Sequence, residues 1–336
     1  MKKTIIIFCL LSSFSTHLFS QKEPVRINGR AQGVAYNITY FDKKNRDFTT
    51  EIEKLLKDFD KSVSLWDSTS IISRVNNNDK NVILDDYFKV CFNKCLEVSK
   101  ATDGAFDCTV GPLVKGWGFS FKKKAKMDST MVDSLLKFIG YQYVEMKDGK
   151  IIKKDNRITL DFNALAQGYS VDLVSKLLES KKISSYLVEI GGEVFARGKK
   201  PNGDNWKVGI EKPIDNPDGN NPLKAIARIE DKAFNTSGNY RKFYIENGIR
   251  YSHEINPKTG YPAHNSLLSA TVLANDCMTA DAYATAFMVM GLEKSITFLS
   301  EHSELMAYLI YSDEKGNYKV FQSDGLNKII TDAVEE

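Results

Sequence analysis

An aspartate and a threonine stand four residues apart in Asp276-Cys277-Met278-Thr279-Ala280-Asp281-Ala282-Tyr283-Ala284-Thr285-Ala286. In a helix that spacing sends both oxygens off one face. A carboxylate beside a hydroxyl is a sparse, hard donor set, of the kind Mg²⁺ accepts when water and a substrate's phosphate oxygens complete its octahedron. Acid and hydroxyl at this spacing also occur on solvated helix faces. Here the neighbours Ala280, Ala282, Ala284, Ala286, Met288 and Met290 make the helix too apolar and small-sided for a surface, so both oxygens are expected to point into a packed site. A carboxylate buried there needs a partner.

Three further stretches hold chemistry-bearing residues. His253 lies in Tyr251-Ser252-His253-Glu254-Ile255-Asn256-Pro257-Lys258-Thr259-Gly260, a strand-like piece running into a turn with Gly260 expected at positive φ. Functional side chains collect at strand ends, and histidines also serve structural roles. Gly191-Gly192 follows a predicted strand and permits close approach by a ligand or another backbone, with a β-bulge as the alternative. Thr236-Ser237-Gly238-Asn239-Tyr240-Arg241 offers hydroxyls and a cation for phosphate, or an ordinary hairpin. Walker A, G-x-G-x-x-G, G-x-S-x-G and H-E-x-x-H patterns are absent from the sequence, which removes the commonest nucleotide, hydrolase and zinc readings.

The elements that position these residues follow from periodicity. Gln32 to Phe41 alternates as a strand. Thr50-x-x-Glu53 reads as a capping box opening a helix with the stripe Ile52, Leu55, Leu56, Phe59 and Val63. Ser64 to Asp67 breaks the pattern, Thr69 to Val75 predicts a short helix, and Asp85 to Thr102 a longer one ended by the Thr102-Asp103-Gly104 turn. Asp107 to Gly118, rich in glycine with Pro112 and Trp117, is a shaped loop or short helix, and Lys122 to Lys126 an exposed basic loop. A helix over Asp128 to Phe138 follows. Arg157 to Phe162 and Ser185 to Ile190 read as strands around a helix from Asn163 to Lys182. Beyond Gly191 strands are expected at Glu193–Arg197, Trp206–Ile210, Lys224–Glu230, Arg241–Glu246, Ser266–Ala274 and Leu305–Tyr311. Asp215 to Pro222 is an exposed loop, and helices hold Asp281 and Leu292 to Ser300. These mixed elements predict one α+β domain.

Met1 to Ser20 has the form of a secretory signal: Lys2-Lys3, an apolar run from Ile5 to Leu11, and Leu18-Phe19-Ser20 before cleavage. The apolar run is short for a membrane span, and Cys9 sits inside it rather than at its end, which disfavours a lipid anchor. The expected location is the periplasm, with attachment to the inner membrane as an alternative. Removing Met1–Ser20 takes away two lysines and no acid, lowering the net charge from +3 to +1. That leaves no electrostatic case for nucleic acid as a partner. Cys91 and Cys95 fall on an apolar helix face with Phe88, Phe92 and Leu96 and read as buried thiols rather than a disulfide, and no Cys/His zinc spacing occurs.

Ala105-Phe106-Asp107 with Val110-Gly111-Pro112-Leu113, then Gly191-Gly192, Thr236 to Arg241, Ser252-His253-x-Ile255-x-Pro257-x-Thr259-Gly260 and Ala280-Asp281-Ala282 together resemble the ApbE family. Order and spacing match from about Arg30 to Tyr311. The resemblance implies a single ApbE-type, T-fold-like α+β domain over residues 21–336, with mixed, mostly antiparallel sheets and packed helices. It implies an FAD:protein FMN transferase that binds FAD with Mg²⁺, cleaves the pyrophosphate, releases AMP and joins FMN to a Ser or Thr of an acceptor flavoprotein. By position, Asp281, Thr285 and the Ala164 carbonyl fall on metal ligands. Gln32, Trp66, Ala105, Phe106, Asp107, Asp161, Gln167, Ser237 and His253 fall on FAD contacts, and His253 and Asp281 on the catalytic groups.

Three departures stand out: Gln32 replaces a methionine common in the family, Gln167 replaces a glutamate, and Ala284 stands where some relatives carry a second aspartate. A Thr or Ser nucleophile must lose a proton, and an imidazole with an ordinary pKa near 6.5 suits that task if it lies within reach. Two alternatives stay open: an FAD pyrophosphatase yielding FMN and AMP, and a periplasmic FAD-binding protein without chemistry. A secreted metal-dependent phosphodiesterase for other nucleotides is a further rival.

Overall fold

A computed structural model describes residues 23–119, 127–214, 221–240, 243–246 and 249–333. The expected leader Met1–Ser20, the basic loop Lys122–Lys126 and most of the Asp215–Pro222 loop lie outside the described residues. The chain opens with strands β1 (Val25–Ala31) and β2 (Val34–Tyr40), then helices α1 (Thr49–Val63), α2 (Ile71–Asn76), α3 (Asp86–Ala101), α4 (Gly111–Gly116) and α5 (Ser129–Leu136). A small hairpin, β3 (Val144–Lys147) and β4 (Lys150–Lys153), precedes helix α6 (Asn163–Ser180). Strands β5 (Tyr186–Ile190), β6 (Glu193–Arg197), β7 (Trp206–Glu211), β8 (Leu223–Ile229), β9 (Lys232–Gly238), β10 (Phe243–Glu246), β11 (Ile249–Ser252) and β12 (Leu267–Ala274) follow. Helices α7 (Cys277–Met290) and α8 (Leu292–Glu301) and strands β13 (Met306–Ser312), β14 (Tyr318–Gln322) and β15 (Ile330–Asp332) complete the order.

Eight strands form one antiparallel sheet in the order β1-β2-β5-β6-β9-β12-β13-β14, and β15-β8-β7 form a second. The central strands are apolar on both faces because both faces are covered. On β9, β12 and β13, Ala233, Val272 and Leu309 face the main core under the helices. Their neighbours Phe234, Leu273 and Tyr308 pack with Trp206, Ala225 and Ile229 of the small sheet. A third cluster of Leu113, Trp117, Val132, Ile139 and Ile255 lies around α4 and α5.

Local expectations differ from the fold at three places. Gln32 and Gly33 form the turn between β1 and β2, with φ of 54° and 79°, so the strand starts at Val34. The Thr50-x-x-Glu53 capping box is absent: the N-cap is Phe48, two residues earlier, and Asp47 accepts from the Thr49 N–H at 2.8 Å. Residues Arg157 to Phe162 join no sheet. Their backbone is satisfied by partners outside any ladder: Leu160 exchanges bonds of 2.7 and 2.8 Å with the Asn76 amide, and the Asp161 N–H reaches the Cys108 carbonyl at 2.7 Å. Cys91, Cys95, Cys108 and Cys277 are buried free thiols, as the apolar setting of Cys91 and Cys95 suggests.

Helix α6 crosses α7 closely enough to need a glycine. A Cβ on Gly168 would sit 2.4 Å from the Cys277 carbonyl oxygen and 2.9 Å from Asp281 Cβ. Backbone cannot rotate aside as a side chain can, so Gly168→Ala must push the helices apart. The expected loss is roughly 1–3 kcal/mol, read as a lower denaturant midpoint with an unchanged slope.

Candidate active site

Helix α7 enters its position through buried polar groups at its N-terminus. Asp172 of α6 accepts from the Cys277 and Met278 N–H groups at 2.8 and 2.9 Å, and Asp276 caps the Thr279 N–H at 2.8 Å. Asn235 of β9 donates to the Cys277 carbonyl at 3.0 Å. These contacts fix both the rotation of α7 and its height over the sheet. Asp172 is a favourable charge at a helix N-terminus, yet burial dominates and pushes its pKa up to about 7.

One helical turn further on, Asp281 is 7% exposed and its Oδ2 accepts from the Gly168 N–H at 3.0 Å. In a regular helix that N–H serves the carbonyl four residues back, which is Ala164. The Asp281 carboxylate thus approaches the first turns of α6, the helix that carries Ala164. Burial pushes Asp281 up to about 7, and the single N–H opposes this only in part. Thr285, on the same face of α7, lies with its Oγ1 3.3 Å from Ser237 Oγ at the end of β9. Thr236-Ser237-Gly238 thus forms the end of the central strand β9. Ala284 is fully buried in the main core and supplies no further donor.

Around this centre α6 gathers the other expected residues. Asp161, just before the helix, accepts from the Asn163 N–H at 2.8 Å, and burial raises its pKa. Gln167 donates to the Ile190 carbonyl at 3.2 Å, and a Cβ on Gly191 would fall 1.6 Å from its Nε2. Gly191 and Gly192, with φ of 64° and 107°, form the two-residue turn between β5 and β6 and permit that approach without a bulge. Ser170 donates to Gln32 Oε1 at 3.3 Å, bringing the β1–β2 turn to the same edge.

The loop holding Ala105, Phe106 and Asp107 adjoins Asp161 through the Cys108 carbonyl. Phe106 is buried, and Asp107 braces the loop: its oxygens accept from Thr109 N–H and O–H at 2.8 and 2.7 Å and from the Tyr141 N–H at 2.7 Å. Trp66, in the turn after α1, is 70% exposed. His253 follows β11, about one-third exposed, with its ring edge-on to Phe119. Its loop is tied to the Asp103–Gly118 region by the Lys258–Asp103 ion pair and by Trp117, which donates to the Gly260 carbonyl at 2.8 Å. Gly260 has the expected positive φ of 78°. Sequence reasoning passed over Gly168 and Asp172. A glycine inside a helical pattern is a signal of close packing, whereas nothing in the periodicity marks Asp172 as a cap for another helix.

Asp281, Thr285 and Ala164 offer one charged and two neutral hard oxygens, and among the described residues no group of three or more His, Cys, Asp or Glu could hold a metal. Such a set fits Mg²⁺, which keeps water and takes substrate phosphate, better than zinc, which seeks a fuller protein shell.

A model of the ApbE family matches residues 32–310. The chain is 34% identical to the FAD:protein FMN transferase of Haemophilus influenzae over 88% of its own length and 89% of that protein. It is 32% identical to that of Vibrio cholerae over 92% and 93%. Its fold superposes on the flavin transferase ApbE from Vibrio cholerae with a TM-score of 0.83 at 30% identity, covering 91% of this chain and 99% of that one. The apo form of Pseudomonas stutzeri flavinyl transferase ApbE gives 0.82 at 28% identity, covering 93% and 98%.

The Asp172 pKa carries a sign. A carboxyl raised in the folded state stabilises relative to its unfolded value of 3.8 at acid pH, and that contribution is lost as pH rises through about 7. Stability is expected to fall between pH 4 and pH 7. In Asp172→Asn, denaturant titrations across this range should show a shallower fall; an unchanged slope against pH refutes the assignment.

Proposed function

The chain belongs to the ApbE family, and we propose that it acts as an FAD:protein FMN transferase. It joins FMN through a phosphoester to a Ser or Thr hydroxyl of an acceptor protein and releases AMP. The observation that carries this reading is Asp281, a buried carboxylate answered by one N–H, set on the same helix face as Thr285 and beside the first turn of α6. Such a group calls for a cation, and the neighbouring oxygens are those a phosphate-bound cation shares.

Asp281, Thr285 and the Ala164 carbonyl would hold Mg²⁺, which when bound supplies positive charge to the non-bridging pyrophosphate oxygens as charge builds there. The rest falls to the chain. Ser237 and the Asp161–Gln167 edge of α6 position the dinucleotide, and alignment of the acceptor hydroxyl with the phosphorus supplies much of the rate. The bond formed is acceptor oxygen to the FMN-side phosphorus, and the bond broken joins that phosphorus to the bridging oxygen, which leaves with AMP. His253 takes the hydroxyl proton at a ring nitrogen. On the strength of the Met1–Ser20 signal the enzyme works in the periplasm, and its acceptors are secreted or periplasm-facing flavoproteins.

Purified protein incubated with FAD, Mg²⁺ and a Ser- or Thr-bearing acceptor peptide is expected to release AMP and to add the mass of FMN to the peptide. Equal AMP release without acceptor would instead indicate a pyrophosphatase, and intact FAD a carrier. Asp281→Ala should lower Mg²⁺-dependent AMP release by at least about 100-fold, the scale of losing a main electrostatic stabiliser. Full activity in that variant removes the metal assignment.

A further inference from the structure

Glu254 is a further buried carboxylate. It is 4% exposed, and among the described residues neither of its oxygens accepts a hydrogen bond. The amides that share its small cavity are directed elsewhere: Asn239 donates to the Leu267 carbonyl at 3.3 Å and Asn265 to the Met288 carbonyl at 2.9 Å. One ring nitrogen lies within reach. His253 Nδ1 is 3.3 Å from Glu254 Oε1, and the His253 side chain is 35% exposed against 2% for that of Glu254.

We propose that Glu254 is a positioning residue that fixes the tautomer of His253, holding the proton on Nδ1 so that Nε2 is the ring nitrogen that accepts. The proposal rests on the reading of His253 as the acceptor's base. Free imidazole favours the other tautomer, with its proton on Nε2, where it can accept nothing. A carboxylate at Nδ1 reverses that choice, and the contact shortens once substrate excludes water, as catalytic hydrogen bonds do. In the transfer, the acceptor hydroxyl gives its proton to Nε2 while its oxygen bonds to phosphorus. The Nδ1–H of the resulting imidazolium then faces the Glu254 negative charge, which stabilises the protonated ring. A buried, unpartnered carboxylate costs stability. Here that cost falls beside the His253 ring, whose orientation the carboxylate sets.

The test measures ¹⁵N shifts of the ring nitrogens in histidine-labelled, substrate-free protein. With four histidines in the chain, His253→Ala identifies the signals. Neutral His253 is expected to carry its proton on Nδ1, and Glu254→Leu to move it to Nε2. Leu is close to Glu in volume, and it removes the desolvation cost of a buried carboxylate that accepts no hydrogen bond among the described residues, so the variant should fold. With FAD and acceptor, Glu254→Leu should lower kcat for AMP release about 10- to 100-fold, as loss of an outer orienting partner does, with KM for FAD little changed. Glu254→Gln, whose amide oxygen still accepts from Nδ1–H, should recover turnover to within a few-fold. An Nε2–H tautomer in the wild type, or the same tautomer in Glu254→Leu, overturns the proposal. Full turnover in His253→Ala overturns the base assignment alone, and the tautomer measurement then decides the Glu254 contact by itself.

Discussion

The Asp281 carboxylate, held against the Gly168 N–H where α6 crosses α7, is the constraint on which the site depends. Taking a carboxylate out of water costs several kcal/mol, and one charge-assisted hydrogen bond returns only about 1.5–3. The balance shows as a proton affinity raised to about 7. The fold keeps this unfavourable group in place by fixing everything around it. Gly168 lets the helices touch, Asp172 and Asn235 lock the first turn of α7, and the sheet beneath brings Ser237 to Thr285. Relaxing any of these would let Asp281 reach water and lose its demand for a cation.

A second assembly stands apart in the packing. The His253 loop is braced by Trp117, Ile255 and the small cluster around α4 and α5 rather than by the main core. The Asp103–Cys108 stretch is the link between the two assemblies, since Cys108 accepts from Asp161 next to α6 while Asp103 pairs with Lys258 of the His253 loop. Charge handling thus sits on rigid helices over a sheet. His253 sits on a loop with its own small core, apart from the crossing of α6 and α7 that holds Gly168 and Asp281.

The two carboxylates differ in how far the sequence exposed them. Asp281 stood out because alanines and methionines on every side made a solvated face untenable, and α7 is indeed buried nearly all round. Long elements with strong periodicity, such as α3 with its Asp85 cap and β6, were readable to the residue. The segment Arg157–Phe162 misled because its apolar alternation matches a strand, while its hydrogen bonds go to Asn76 and Cys108, partners far away in the chain. Gln32 misled for the opposite reason: its left-handed backbone is a turn requirement that alternation does not encode. Glu254 was invisible as well, since one acid beside a histidine in a turn-rich stretch reads as solvated until burial shows otherwise.

Ala284 gives the sparse metal set a consequence for the order of binding. In the proposed site a single carboxylate would leave a divalent cation with net positive charge, so metal alone would be held weakly by one ion contact and two neutral oxygens. The FAD pyrophosphate brings two negative charges and hard oxygens of the preferred kind. Each ligand therefore supplies what the other lacks, and linkage requires that each raise the affinity of the other by the same factor. A second aspartate would have satisfied the cation in advance and weakened that coupling. In this chain, with fully buried Ala284 in the core instead, Mg²⁺ and FAD are expected to enter as one cooperative pair, which confines a strongly polarising ion to the moments when a pyrophosphate is present to be cleaved.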